Sequence, residues 1–342
     1  MTKHVLVIGA TLLDTKGKPT AGLAPGMSNP ASIRSTRGGT ARNVAENLAR
    51  LGADVVLVSA VGDDTTGRQL MIQTAEAGVN LDHVEMVAER HTGSYIALLD
   101  EDGRLAVALD DVGVMEVIDA AYLEAHRDLF DDAAMVMFDG SLSEAAMAAV
   151  VRLAGEYGVP LCADPSSARL AHKLRPYLSQ LHLVVPNEIE EAALCGVDFA
   201  GHDPTTSLTL AGRLVAAGVA NVVVTLADFG LDYATADESG YIPPSHTRMV
   251  DSTGTGDAVT AAILFGLLND LPPIEAIRLG AAAAALTEAA ADDLSDVDHG
   301  IHWSTLRWSG SKTMSRRRPF ASTICPTGSS KRSRNTFVRT AT

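Results

Sequence analysis

Asp251-Ser252-Thr253-Gly254-Thr255-Gly256-Asp257-Ala258-Val259-Thr260-Ala261-Ala262-Ile263-Leu264-Phe265-Gly266-Leu267-Leu268 is a turn of small residues that runs straight into an apolar segment. The segment lacks a polar face, which predicts a buried helix. Gly254 and Gly256 let the backbone come close to a ligand. The first N–H groups of a helix have no intrahelical acceptor and sit at the positive end of its dipole, so the turn is an anion hole. Asp257 stands at the same place. A carboxylate there can take a proton from an attacking hydroxyl while the N–H groups of Gly254, Thr255 and Gly256 hold a transferring phosphoryl charge. The competing role for Asp257 is helix capping alone.

A second stretch has the same build. Gly38-Gly39-Thr40-Ala41-Arg42-Asn43-Val44-Ala45-Glu46-Asn47-Leu48-Ala49-Arg50-Leu51-Gly52 places a glycine pair before a helix whose Val44, Leu48 and Leu51 recur at helical spacing. Asn43 falls in the first turn, where its amide can donate and accept together, as a sugar diol requires. Its competing role is N-terminal capping.

Around these motifs, short β-branched runs alternate with Ala/Leu-rich segments. Strands are expected at 5–9, 55–61, 135–138, 161–163, 182–185 and 222–226, and helices at 40–51, 66–77, 143–157, 188–195 and 206–217. The strand runs are apolar on both faces, as in a parallel sheet covered by helices. Gly52, Gly78, Gly158 and Gly218 follow helices where a left-handed cap belongs. This alternation predicts an α/β fold with a doubly wound, mostly parallel sheet. Two segments break the rhythm. Residues 10–37 are rich in Gly, Pro, Ser and Thr, and 92–110 hold two strand-like runs joined by Asp100-Glu101-Asp102-Gly103, a hairpin signal.

Of the 342 residues, 46% are hydrophobic and 20% charged, which excludes a disordered chain. The net charge of −15 argues against nucleic-acid binding by the body of the protein. Residues 301–342 differ, with nine Lys/Arg and no Asp/Glu, so the rest is near −24. That segment reads as a basic, disordered tail. Three cysteines, Cys162, Cys195 and Cys325, are too few for a disulfide framework or a zinc site. Cys162 and Cys195, in apolar runs, read as buried thiols. His4, His91, His172 and His182 lack partners at metal spacing and read as satisfied structural histidines. No run has the length of a membrane helix, and the first residues read as a strand, so a cytoplasmic protein is expected.

The two glycine motifs, in this order and about 200 residues apart, resemble the paired signatures of the ribokinase-like (PfkB) carbohydrate kinases over about residues 3–295. The resemblance implies a ribokinase-like kinase domain at 1–300 with a small β lid from 10–37 and 92–110. It implies ATP and Mg²⁺ as cofactors and Asp257 as base. Asp14, Gly38, Gly39 and Asn43 would hold substrate hydroxyls. Asn187, Thr225, Gly230, Gly254 and Gly256 would bind nucleotide, with Glu190 acting on the metal through water and a monovalent cation such as K⁺ near Asp251. Ala281–Ala285 reads by itself as a tightly packed helix, and by the resemblance it would border the adenine. Thr255 stands where the family usually has Ala, and Ala227 where its nucleotide turn usually has Gly. The expected reaction is ATP-dependent phosphorylation of the primary 5′-hydroxyl of a ribose-containing substrate. The stretches Ser28-Asn29-Pro30, Thr92-Gly93-Ser94-Tyr95-Ile96 and Ala163-Asp164-Pro165-Ser166 are similar to those of family members that act on pseudouridine, which makes it the expected substrate. Asp110, Asp111 and Asp139 are the candidate acceptors for its extra N–H, against a plainer reading as turn or solvent-facing carboxylates. Ribose, fructose or adenosine, or a non-catalytic sugar-binding regulator, are the alternatives. A homodimer through the lid is the expected assembly.

Overall fold

In the computed structural model the chain begins with a buried strand, β1 (His4–Ile8), then two strands that leave the main body, β2 (Leu12–Pro19) and β3 (Ala31–Gly38), before α1 (Thr40–Arg50). β4 (Val55–Gly62), α2 (Thr65–Glu76) and β5 (Asn80–Val87) follow, then the hairpin β6 (Gly93–Leu99) and β7 (Leu105–Asp111). A 3₁₀ turn and the short helices α3 (Ala120–Ala125) and α4 (Asp128–Asp131) lead to β8 (Ala133–Asp139), α5 (Glu144–Tyr157) and β9 (Leu161–Asp164). Next come α6 (Ala168–Ala171), β10 (Leu183–Val184), α7 (Glu188–Cys195), α8 (Pro204–Ala216), β11 (Asn221–Thr225), β12 (Leu231–Thr235) and β13 (Ser239–Ile242). The last described elements are α9 (Thr255–Leu268) and α10 (Pro273–Ala290). The structure describes residues 3–244 and 254–290. They lie in one unit that runs to Ile301, and the tail expected at 301–342 lies outside the described residues.

The main sheet runs β13-β12-β11-β10-β9-β8-β1-β4-β5 among the described residues. From β5 to β11 every pairing is parallel, and β12 and β13 add an antiparallel edge. Every residue of β4 is buried, as a run apolar apart from Ser59 requires of a strand covered on both faces. Helices cover both faces. Val44, Leu48, Val259, Ile263 and Ile277 bring α1, α9 and α10 onto one side. Met147, Val150, Leu153, Leu194 and Leu214 bring α5, α7 and α8 onto the other. The doubly wound α/β reading therefore holds.

The helix limits follow local chemistry. Ser143 caps α5 by accepting the Ala146 N–H, and Gly158 closes it in the left-handed conformation. Asn187 and Glu190 form a reciprocal capping box on α7. The second sheet, β3-β2-β6-β7, is the insertion expected from 10–37 and 92–110. Its cross-strand register aligns Thr36, Asp14, Tyr95 and Asp110 in one row.

Candidate active site

The parallel strands end where a ligand crevice belongs in such a sheet. At the end of β8, Asp139 is fully buried and spends both oxygens on backbone. Oδ2 accepts the N–H groups of Ala10 at 2.9 Å and Ala41 at 3.0 Å, and Oδ1 accepts the Ser141 N–H at 2.9 Å and its hydroxyl. It thereby ties the end of β1 to the start of α1. This corrects the reading of Asp139 as a substrate acceptor or solvent-facing group. Its oxygens are already committed.

That tie places the glycine pair. Gly39 holds φ +96°, and a Cβ there would lie 2.2 Å from the Ala10 carbonyl oxygen, so only glycine fits. A Cβ on Gly38 would lie 2.3 Å from Asp14 Oδ1, so its missing side chain is room for the Asp14 carboxylate. Burial raises that carboxyl to about 6, against the opposing pull of Lys16 and Arg42. Asn43 does not cap α1, whose N-cap is Gly39. Its Nδ2 donates to Asp257 Oδ2 at 2.7 Å across 214 positions of sequence.

Asp257 does not cap α9 either. The N-cap is Gly254, in the left-handed conformation with φ +77°, and no side chain caps that end. Asp257 is therefore free for chemistry beside first-turn N–H groups that no helical carbonyl can accept. Burial pushes its carboxyl up to about 7, Asn43 and Arg42 oppose that shift, and Asp14 and Asp139 add to it.

A cavity of about 440 Å³ opens from Asp257. Gly254, Thr255 and Gly256 line it, as do Asn187, Glu190, Thr225 and Gly230. Asp14, Gly38, Gly39 and Asn43 are not in its lining. The candidate residues thus divide into two groups that meet at Asp257. Ala281, Ala284 and Ala285 form part of the apolar wall. A Cβ on Gly256 would meet open space, so a ligand can reach that backbone. Gly230 is different, because a Cβ there would lie 2.2 Å from the Ile242 carbonyl oxygen. Ala227 lies in the same turn with φ +49°, a conformation that explains why glycine suits the position better.

Glu190 is nearly all buried and pushed up to about 7, with one oxygen accepting the Asn187 N–H at 2.9 Å. Asp164, at the end of β9, also lines the cavity, and burial with the neighbouring Glu190 and Asp257 charges raises it well above the carboxylate range. Sequence reading did not single out Asp164. Its position at the carboxyl end of a parallel strand was the available signal. No group of three His, Cys, Asp or Glu side chains among the described residues can hold a metal. The cavity offers Glu190 and Asp164 oxygens and the Asn187 amide, which suits a hard cation carried largely by phosphate and water. Asp251, and with it the monovalent-cation expectation, lies outside the described residues.

Three smaller expectations change. Asp110 and Asp111 are exposed as expected, but Asp110 sits on a strand in register with Tyr95 and Asp14 rather than in a turn. His4 Nε2 is buried without a partner among the described residues, so that histidine is only partly satisfied. Cys162 is fully buried, whereas Cys195 is half-buried.

The family model "pfkB family carbohydrate kinase" matches residues 2–292. The pseudouridine kinase of Escherichia coli is 33% identical over 284 residues, covering 83% of this chain and 90% of that protein. The guanosine-inosine kinase of Exiguobacterium acetylicum is 28% identical over 82% of this chain and 93% of its own length. A carbohydrate kinase from Agrobacterium tumefaciens superposes with a TM-score of 0.71 at 32% identity, covering 86% of this chain and 94% of that one. The paired glycine motifs, their convergence at Asp257 and the match across nearly all of the described fold lead to one conclusion: the chain belongs to the pfkB family of carbohydrate kinases, phosphotransferases that act on a sugar or nucleoside hydroxyl.

Proposed function

We propose that the chain transfers the γ-phosphoryl group of ATP to the 5′-hydroxyl of pseudouridine, giving pseudouridine 5′-phosphate. The observation that carries the chemistry is the Asn43–Asp257 hydrogen bond of 2.7 Å beside the N-terminus of α9. It fixes a carboxylate where the hydroxyl-side residues meet the cavity. Asp257 takes the hydroxyl proton as the oxygen attacks, and Asn43 holds its carboxylate in orientation. The N–H groups of Gly254, Thr255 and Gly256 bind the oxygens of the transferring group. Asp14, with Gly38 and Gly39 leaving it room, accepts from sugar hydroxyls. Asn187, Thr225 and Gly230 would hold the nucleotide, and Glu190 would face its hydrated cation. ATP supplies the phosphoryl group, and Mg²⁺, when bound, would neutralise phosphate charge.

The substrate assignment rests on the 33% identity to a pseudouridine kinase over 83% of the chain. The row Asp14–Tyr95–Asp110 supports it, because it sets a ring and a second carboxylate beside the sugar-binding one. Pseudouridine has a C–C glycosidic bond and presents an N1–H that uridine lacks. A site that pairs this donor is left with a stranded acceptor when uridine binds. The exposed Ile33, Ile96, Val107 and Leu109 of the lid sheet support a homodimer through that surface.

The test is ADP release with Mg²⁺ and a panel of pseudouridine, uridine, ribose, fructose and adenosine. The expected kcat/KM for pseudouridine is at least about tenfold above the others. Preference for ribose, fructose or adenosine overturns the substrate, and binding without turnover of any acceptor makes the protein a sugar-binding regulator.

A further inference from the structure

Arg42 immediately precedes Asn43 in the first turn of α1 and is only 1% exposed. Its Nη2 donates to Glu46 Oε2 at 2.7 Å. The other Glu46 oxygen accepts from Arg50 Nη2 at 2.6 Å, with Arg37 Nη2 at 3.7 Å. Glu46 is itself 3% exposed, so cations hold it on both sides and it holds Arg42 in turn. The remaining donors, Nε and Nη1 of Arg42, are buried and find no acceptor among the described residues. A buried guanidinium with unmade hydrogen bonds is destabilising. An ion pair with Glu46 needs no such burial, so the stability of α1 does not explain it.

The surroundings do. The start of α1 lies between two carboxylates: the neighbouring Asn43 meets Asp257 of α9 at 2.7 Å, and Asp14 of β2 fills the space beside Gly38, so both charges act on Arg42. Asp139 on β8 adds negative charge against Asp257, and Asp164 on β9, beside Glu190 of α7, feels the Asp257 charge. Lys16 on β2 acts on Asp14, and Arg37 on β3 acts on Arg42. Carboxylates gathered out of water favour one another's protonation unless a fixed cation lies among them. We infer that Arg42 is a positioning residue of the acceptor site: an internal cation, held by Glu46, that favours the charged form of the Asp14 and Asp257 side chains against their burial. The inference deepens the kinase reading and rests on it for the role of Asp257 as base.

Removing the cation should raise the protonation midpoint of Asp257, and neutralising Glu46 as Gln, whose amide oxygen still accepts from Arg42 Nη2, should lower it, because the held Arg42 charge then acts unopposed. A packing role predicts no such opposite pair. The test is a ¹³C-aspartate NMR titration of the full chain without substrate, with the Asp257 carboxyl assigned as the signal lost in Asp257→Asn. The wild-type midpoint is expected near about 7. Arg42→Met should raise it by at least about one unit, a tenfold change in proton affinity, and Arg42→Lys should stay within about half a unit of wild type. Glu46→Gln should lower it. An unmoved or lowered midpoint in Arg42→Met overturns the inference, as does Arg42→Lys behaving like Arg42→Met. Should circular dichroism show Arg42→Met unfolded, Glu46→Gln decides alone, and an unmoved or raised midpoint overturns it. Failure of the kinase reading shows separately, as absent wild-type turnover in the acceptor panel.

Discussion

Asp257 and Asn43, the catalytic pair proposed above, are brought together from two helix beginnings. Each could have capped its own helix, and glycine caps at Gly39 and Gly254 leave both side chains free to meet instead. Replacing Asp257 by Asn keeps the hydrogen-bonding shape and removes the base. The expected kcat loss is at least about 10²-fold, with ATP affinity by calorimetry within about threefold of wild type. Near-normal turnover by the pure variant would remove Asp257 from the mechanism. The base must be ionised, and burial sets its carboxyl at about 7, so kcat should fall as pH drops through that value. Ala227 carries a different signature. Its φ of +49° costs a residue with a Cβ about 1 kcal/mol relative to glycine. Ala227→Gly should therefore gain up to about 1 kcal/mol in urea unfolding, less the added entropy of the unfolded chain. A loss of stability would show that the methyl makes contacts worth more than the strain.

The helices and strands reveal where local sequence was enough. α7 runs over the residues expected of it, Glu188–Cys195, because Asn187 and Glu190 write a capping box and Gly196 ends it. α1, α2, α5 and α8 agree to within two residues at each end for the same kind of reason. β5, β12 and β13 were not foreseen. Their burial alternates or is partial, so their pairing is decided by the neighbouring strand rather than by their own residues. β10 shrinks to two residues between β9 and β11, although Val185 beyond it stays buried. One contact between elements has a pH signature. Glu191 of α7 and Asp232 of β12 are both buried, and Glu191 Oε1 and both Asp232 oxygens find no partner among the described residues. Burial raises the Glu191 carboxyl to about 8. A carboxyl raised in the folded state contributes stability that is present below its unfolded pKa and is lost as pH rises through the folded one. Glu191→Gln should match wild type near pH 4, below the unfolded pKa, and melt at least about 2 °C higher near pH 9. An equal difference at both pH values would make the effect one of packing.

At the scale of the molecule, the meeting of the two motifs follows from topology. α1 follows β1 by way of the lid strands, α9 returns to the same face of the sheet, and the ends of β1, β8 and β9 open between them. The sequence announced both motifs through their glycines. It offered Asp139 only as a substrate acceptor and carried Asp164 and Arg42 inside quoted stretches without a role, because these buried side chains acquire meaning only when distant strands come together. The same scale decides what the protein can do without. The family match ends at residue 292, and residues 301–342 carry nine cationic side chains, no acidic ones and no apolar periodicity. The kinase domain proposed for 1–300 then contains every residue assigned to chemistry, and the basic tail proposed for 301–342 contains none. A segment with so little patterned apolar content has little to bury against a core. A chain ended at Gly300 should melt within about 2 °C of the full chain and bind ATP with unchanged affinity at 0.15 M salt. Repeating the measurement at low salt checks for attraction between the nine tail cations and the acidic body, which would weaken as salt is added. A fall of more than about 5 °C, which for a chain of this size corresponds to roughly 2 kcal/mol, would show that residues 301–342 pack as a final element of the kinase domain, and the proposed boundary would move past residue 300.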